Sequence, residues 1–313
     1  MLFRTAIAHR VSSIYSDVAQ MAGDDKGPLG QKVDAPDVYA PEVLFPIPRQ
    51  RGRSLLGLSE TAELPFAGED VWNCYELSWL NVHGVPRRAM LELHIPCTTP
   101  SLVESKSLKL YLNSLSFLRV GSPESLLKII KTDLSRTLGC SAESVHAELR
   151  DQEVRPFDPN AWECVDEEDV GDMSAEHLSK VDEAHLRLEV PADADGVTKR
   201  PMVSERLVSH LLRTLCPVTG QPDWGSVLIE YTGTKLDRAG ILRYITSLRR
   251  EVGFHENAIE TIYLAISKQC TPASLTVTGR FFRRGGIDIN PVRASSAELA
   301  AQAVARQERM PGQ

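Results

Sequence analysis

No apolar run in this 313-residue chain approaches the length of a membrane span, and no secretory signal is visible. The six cysteines, Cys74, Cys97, Cys140, Cys164, Cys216 and Cys270, are scattered. None forms a Cys-x-x-Cys pair or has a histidine or cysteine at close ligand spacing, so no metal site is expected. These absences set the expectation of a reduced, cytoplasmic protein without membrane contact. Excess positive charge is lacking too: a net charge of −7 argues against direct binding of nucleic acid over a broad surface. There is no G-x-G-x-x-G after a strand and no G-x-x-x-x-G-K-[ST], which excludes a Rossmann site and a P-loop.

The length suits about two ordinary domains. Residues 1–22 hold Arg4, His9 and Arg10 with no acid before Asp17, a faint likeness to a transit peptide. Met21 also reads as a natural chain start, and the stretch before it is taken as a tail. Residues 27–68 are rich in proline and glycine and predict an extended surface arm. Beyond it, 71–80 and 87–95 read as a β-hairpin, 105–117 and the Ser122-Pro123-Glu124 start as two helices, and 144–150 and 184–190 as strands around an acidic, irregular 158–182. The second half repeats that order: strands at 205–212 and 226–231, helices at 237–250 and 255–268, and a strand at 274–282. Leu108–Leu115 aligns without gaps on Ile241–Leu248, sharing the tyrosine, serine and final leucine. The expected fold is therefore α+β with two tandem units, each an antiparallel sheet with two helices on one face. The alanine-rich end is a terminal helix or a frayed tail.

Four motifs carry candidate chemistry. Cys216 lies in Leu215-Cys216-Pro217-Val218-Thr219-Gly220-Gln221-Pro222-Asp223-Trp224-Gly225, a loop punctuated by proline and glycine and expected near the surface. A thiol there, with a carboxyl seven residues on, is the minimal kit for covalent catalysis on an electrophilic carbon, although many single cysteines are only small hydrophobes. Val103-Glu104-Ser105-Lys106 enters a helix, where free backbone N–H groups, two serine hydroxyls, Lys106 and Lys109 suit a phosphate and Glu104 suits the N–H donors of a heterocycle. An ordinary serine-capped helix explains the same residues. Phe254-His255-Glu256 offers a stacking ring, a proton relay and an acceptor for a purine-like edge, or plain surface chemistry. Arg283-Arg284-Gly285-Gly286 is either a phosphate clamp with close backbone approach or a basic hairpin tip.

Taken in chain order, and together with Glu76-Leu77-Ser78-Trp79-Leu80-Asn81, these motifs resemble the NADPH-dependent 7-cyano-7-deazaguanine reductases, the nitrile reductases of queuosine biosynthesis, in their long two-module form. The likeness runs from about Gly27 to Arg293. It implies tandem tunnelling-fold modules, placed at 69–200 and 201–293 between an N-terminal arm (1–68) and a C-terminal tail (294–313). It also implies a homo-oligomer, with a homodimer favoured. Carried over, Cys216 attacks the nitrile carbon to give a thioimide, Asp223 donates a proton, and His255 belongs to the catalytic set. Val103, Glu104, Ser105, Phe254, His255 and Glu256 hold the deazaguanine, and Ser105, Lys106, Arg284 and Gly285 hold NADPH. The related GTP cyclohydrolases bind zinc, but Thr219 stands where a histidine ligand is wanted. The rival functions are a thiol-dependent nitrile or amidine hydrolase and a non-catalytic deazapurine-binding module.

Overall fold

Two long hairpins frame the computed structural model, which describes residues 32, 34–150, 155–189, 202–306 and 308–313. The chain enters through β1 (Pro46–Pro48) and a short helix, α1 (Arg49–Leu55). It then forms the hairpin β2 (Ala67–Leu80) and β3 (Pro86–Pro96), and β4 (Ser101–Val103), which pairs with β1. Helices α2 (Ser105–Ser114) and α3 (Pro123–Leu138) follow, with β5 (His146–Arg150) and two short strands, β6 (Arg155–Pro156) and β7 (Glu163–Cys164). The second half runs β8 (Met202–Leu215), β9 (Pro222–Thr234), α4 (Arg238–Ser247), α5 (His255–Cys270), β10 (Ser274–Phe281) and β11 (Ile287–Ala294). It ends with α6 (Ala297–Ala305) and β12 (Glu308–Arg309), which pairs with β6.

The result is a mixed α+β architecture built on one eight-stranded sheet, ordered β5-β3-β2-β11-β10-β9-β8-β7 and antiparallel except at the short β7–β8 pair. Alternation decides the faces. Leu91, Leu93 and Ile95 of β3 turn to one side and pack against Leu108 and Tyr111 of α2, Leu115 in the 3-10 turn after it, and Leu126, Ile130 and Leu134 of α3. Val227, Ile229 and Tyr231 of β9 do the same against Ile241, Tyr244, Ile259 and Ile262. Each such side chain, fully buried, contributes roughly 1.5–3 kcal/mol. The intervening residues, including Glu92, His94 and Glu230, face the other side, where α6 lies against β2, β10 and β11.

Several expectations are corrected. The arm is not wholly extended, because Arg49 and Arg53 of α1 are drawn into the core by buried acids. The stretch read as a strand at 184–190 forms a 3-10 turn at Glu183–His185 and a single bridge between Leu188 and Leu236. Position 190 lies outside the described residues, as does the basic stretch 1–22. The first half still supplies four strands to the main sheet, but its fourth is the short β7, paired with β8, and not 184–190. Strand β11, not among the expected strands, is buried at all eight positions. A central strand covered on both faces shows no alternation to read. The alanine-rich segment is the ordered helix α6, capped by Ser296 Oγ accepting from Leu299 N.

Candidate active site

Cys216 is the first residue after β8, and its loop is tight: Cys216 N donates to Gln221 O at 2.9 Å and Gly220 N donates to Cys216 O at 2.9 Å. Gly220 supplies the left-handed turn with φ 65°. The end of β8 is bonded to the segment before α5, through Leu215 N to Glu251 O at 2.8 Å and Gly253 N to Leu215 O at 3.1 Å. That pairing sets Cys216 on one cavity with Phe254 and His255; the loop runs at the surface as expected, with Thr219 and Gln221 exposed, but the cysteine itself is only 7% exposed. Asp223 is not in the loop at all but in β9, where it is also buried.

A cavity of about 280 Å³ brings together every sequence-predicted site residue. Val103 comes from the end of β4, Glu104, Ser105 and Lys106 from the start of α2, Cys216 from the β8–β9 connection, Asp223 from β9, Phe254, His255 and Glu256 from the start of α5, and Arg284 and Gly285 from the β10–β11 turn. That turn has φ 58° at Gly285 and 79° at Gly286, the mirror-image geometry that two-residue hairpins need.

Around Asp223 the polar contacts converge. His255 Nε2 lies 3.5 Å from Asp223 Oδ1, and Arg284 Nη1 comes to 2.8 Å of the same oxygen. Neither contact has the alignment of a hydrogen bond, so Oδ1 is a buried acceptor left open. The His255 ring stacks on Phe281, with centroids 4.0 Å apart, which fixes its plane. Arg284 is further tied by Nη2 to Pro222 O at 2.5 Å.

The two recognition carboxyls differ. Glu104 caps α2 with both oxygens, Oε1 accepting from Lys106 N at 2.7 Å and Oε2 from Ser107 N at 2.8 Å. This corrects the expectation of free backbone donors there: the helix carries its own anion, and Ser107 Oγ is spent on Glu104 O at 2.6 Å. What remains for a phosphate is the side-chain rim of Ser105, Lys106, Lys109 and Arg284 beside Gly285. Burial pushes the Glu104 carboxyl up, against the pull of its backbone donors. Burial also raises Glu256, to about 7, helped by the charge of Asp70 and opposed by His255 and Arg49.

Sequence reading missed the apolar part of the lining. Ile47 reaches the cavity from the arm, and Trp72, Ile287 and Ile289 come from the central strands. Pro46-Ile47-Pro48 was the one available signal, since prolines flanking an apolar residue suit a short edge strand. No group of metal-ligating side chains occurs among the described residues. No described helix is long and apolar enough to cross a membrane.

Comparisons with known proteins identify the family. The family model described as nitrile reductase, 7-cyano-7-deazaguanine-reductase N-terminal matches residues 35–148, and that of a QueF-like protein matches 222–300. The NADPH-dependent 7-cyano-7-deazaguanine reductase of Azoarcus sp. is 45% identical, covering 89% of this chain and 94% of the relative. Its counterpart from Desulfotalea psychrophila is 44% identical, covering 87% and 93%. A solved structure, the archaeosine synthase QueF-Like in the apo form, is 19% identical with a TM-score of 0.27, covering 31% of this chain and 95% of that one. With both hairpins, the cavity and relatives matched over nearly their whole length, the chain belongs to the family of NADPH-dependent 7-cyano-7-deazaguanine reductases.

Proposed function

We propose that this protein reduces the nitrile of 7-cyano-7-deazaguanine to an aminomethyl group at the expense of two NADPH, through a thioimide on Cys216. The observation that carries the reading is the single cavity shared by Cys216, Asp223, His255, Glu104 and Glu256. A bare nitrile accepts hydride poorly. Addition of the Cys216 thiol forms a C–S bond, converts the triple bond to C=N and gives a better acceptor. Asp223, whose Oδ1 accepts no aligned hydrogen bond, delivers a proton to the nitrile nitrogen, and His255, 3.5 Å from that oxygen, exchanges a proton with it. Glu104 and Glu256 accept the N–H donors of the deazaguanine edge, and Phe254 covers its ring.

The rim fits a phosphate-bearing dinucleotide. An added Cβ on Gly285 would meet Lys109 Cδ at 3.1 Å, so glycine keeps this edge bare beside Ser105, Lys106 and Arg284. NADPH bound there supplies hydride to the activated carbon. Two hydrides and two protons complete the amine, and the C–S bond breaks to return the thiol.

The same reading takes the two halves as tandem tunnelling-fold modules that pair in a homodimer in the cytoplasm. The open sheet edge at β5 supports such pairing. Intact mass spectrometry with 7-cyano-7-deazaguanine and no NADPH tests the chemistry. One ligand mass is expected on the wild type and none on Cys216→Ala. Lys106→Ala is expected to keep the adduct while NADPH use weakens. An adduct on Cys216→Ala, or none on the folded wild type, overturns the assignment.

A further inference from the structure

A buried ion network joins the arm to α5. Arg293 of β11, fully buried, donates Nη1 to Asp70 Oδ1 at 2.9 Å and Nη2 to Glu260 Oε1 at 2.9 Å. Arg49 of α1 donates Nη2 to the other oxygen of Asp70 at 2.6 Å, and its Nε donates to Thr99 Oγ1 at 3.1 Å. Arg53, one turn on, grips both oxygens of Glu260 at 2.7 and 3.2 Å. Three guanidiniums face two carboxylates, so the network alone carries one positive charge in excess. Glu256 lies one turn before Glu260 on α5, is itself buried, and opens onto the cavity.

We propose that Arg49 and Asp70, with the network they anchor, are positioning residues for Glu256, making the N-terminal arm part of the substrate-recognition apparatus. The proposal rests on the reading that Glu256 holds the deazaguanine. Burying three arginines and two acids is weak evidence for stability, since desolvation offsets most of the attraction. Its use here is to fix the first turns of α5 against β2 and β11, and with them the carboxyl of Glu256 one turn before Glu260.

The charged groups around Glu256 come from several elements: Asp70 on β2, Arg49 on α1, and His255 and Glu260 on its own helix. Across the cavity stand Glu104, Lys106, Asp223 and Arg284. Asp70 pushes the Glu256 carboxyl up and Arg49 pulls it down, so the two neighbours act with opposite sign.

That opposition gives a test that a merely structural role fails. The pH dependence of KM for 7-cyano-7-deazaguanine is measured for the wild type, Arg49→Met, Arg49→Lys and Asp70→Asn, with adduct formation confirming a folded site. Arg49→Met is expected to move the acid limb of substrate binding upward by roughly half a pH unit or more. It should raise KM at neutral pH more than it lowers kcat, with Arg49→Lys restoring both. Asp70→Asn should move the limb downward. An unmoved limb in adduct-forming Arg49→Met overturns the proposal, as does a shift of the same sign in both charge-removing variants. Because Arg293 still pairs with Asp70 in Arg49→Met, that variant with its lysine rescue decides the matter if Asp70→Asn does not fold. A wild type that forms no adduct overturns the functional reading and this inference with it.

Discussion

The two hairpins share a framework to a degree that makes their one large difference informative. In each, the first strand carries a bulge, at Cys74/Leu77 in β2 and at Ser209/Leu212 in β8, followed by a fully buried leucine, Leu77 or Leu212. Each strand ends on a leucine that bridges in parallel to the segment before the next long helix, Leu80 to Arg119 and Leu215 to Val252. The residue after that leucine is Asn81 in one half and Cys216 in the other. Asn81 Oδ1 accepts from His83 N and Val85 N at 3.0 Å each and builds an ordinary exposed turn. Cys216 instead lies buried against the start of α5. The helix starts diverge likewise: Ser122 caps α3 with its hydroxyl, whereas Phe254, which makes no cap bond, faces the cavity. A good cap is worth about 1 kcal/mol, so the second half gives up local stability where a ring is needed.

The hardest blow to this contrast falls on Asp223, which turns the second hairpin from a scaffold into a site. Asp223→Asn keeps the shape and removes the exchangeable proton. It is expected to lower kcat by about 10²- to 10⁴-fold with little change in the urea midpoint. Steady-state kinetics beside a denaturation curve check this, and a wild-type kcat would strip Asp223 of its role.

A smaller effect separates the halves on the face opposite the long helices. There the first half sets His94 between Glu69 at 3.0 Å and Glu92 at 2.8 Å, whereas the second sets Glu230 between Arg206 and Arg306. Burial pulls His94 down, but hydrogen bonds to Glu69 and Glu92 outweigh it and raise the imidazole to about 9. A histidine raised above its unfolded value of 6.5 stabilises fully below that value and loses the contribution as pH climbs through about 9. The unfolding free energy should therefore fall between pH 6.5 and 9.5, by at most about 3 kcal/mol, and His94→Gln should flatten that slope in denaturation curves. An equal slope in the variant would place the titration elsewhere.

How far the sequence announced this molecule depended on whether a signal was local. The hairpin at 71–95 and all four long helices were legible because each carries its own period and cap. The site residues were legible as short motifs, and the fold gathers them in one cavity. What escaped depended on distant partners. Nothing near Arg49 or Arg53 indicates that Asp70 and Glu260 will bury them. Cys216 looked exposed because Pro and Gly mark a turn without revealing what will cover it. Nor does anything before α2 indicate that both oxygens of Glu104 also cap that helix.

The finest test of the comparison is the tyrosine that both halves place in the first helix after the hairpin. Tyr111 and Tyr244 are both fully buried, and in each case the serine three residues on donates back to the tyrosine carbonyl, at 2.6 Å from Ser114 and 2.7 Å from Ser247. Their hydroxyls part company. Tyr111 donates to Asp133 Oδ2 at 2.7 Å, sharing that oxygen with Tyr39 at 2.6 Å, whereas the Tyr244 hydroxyl has no partner among the described residues. Removing a donor from a buried carboxylate costs about 1.5–3 kcal/mol, and Tyr39 retains one bond, so Tyr111→Phe should destabilise near the lower end. Removing an orphan hydroxyl relieves desolvation, so Tyr244→Phe should be neutral or stabilising by up to about 1 kcal/mol. Urea midpoints at constant slope read both values. Equal losses in the two variants would mean that the Tyr244 hydroxyl is satisfied, and that the halves differ in chemistry but not in the quality of their cores.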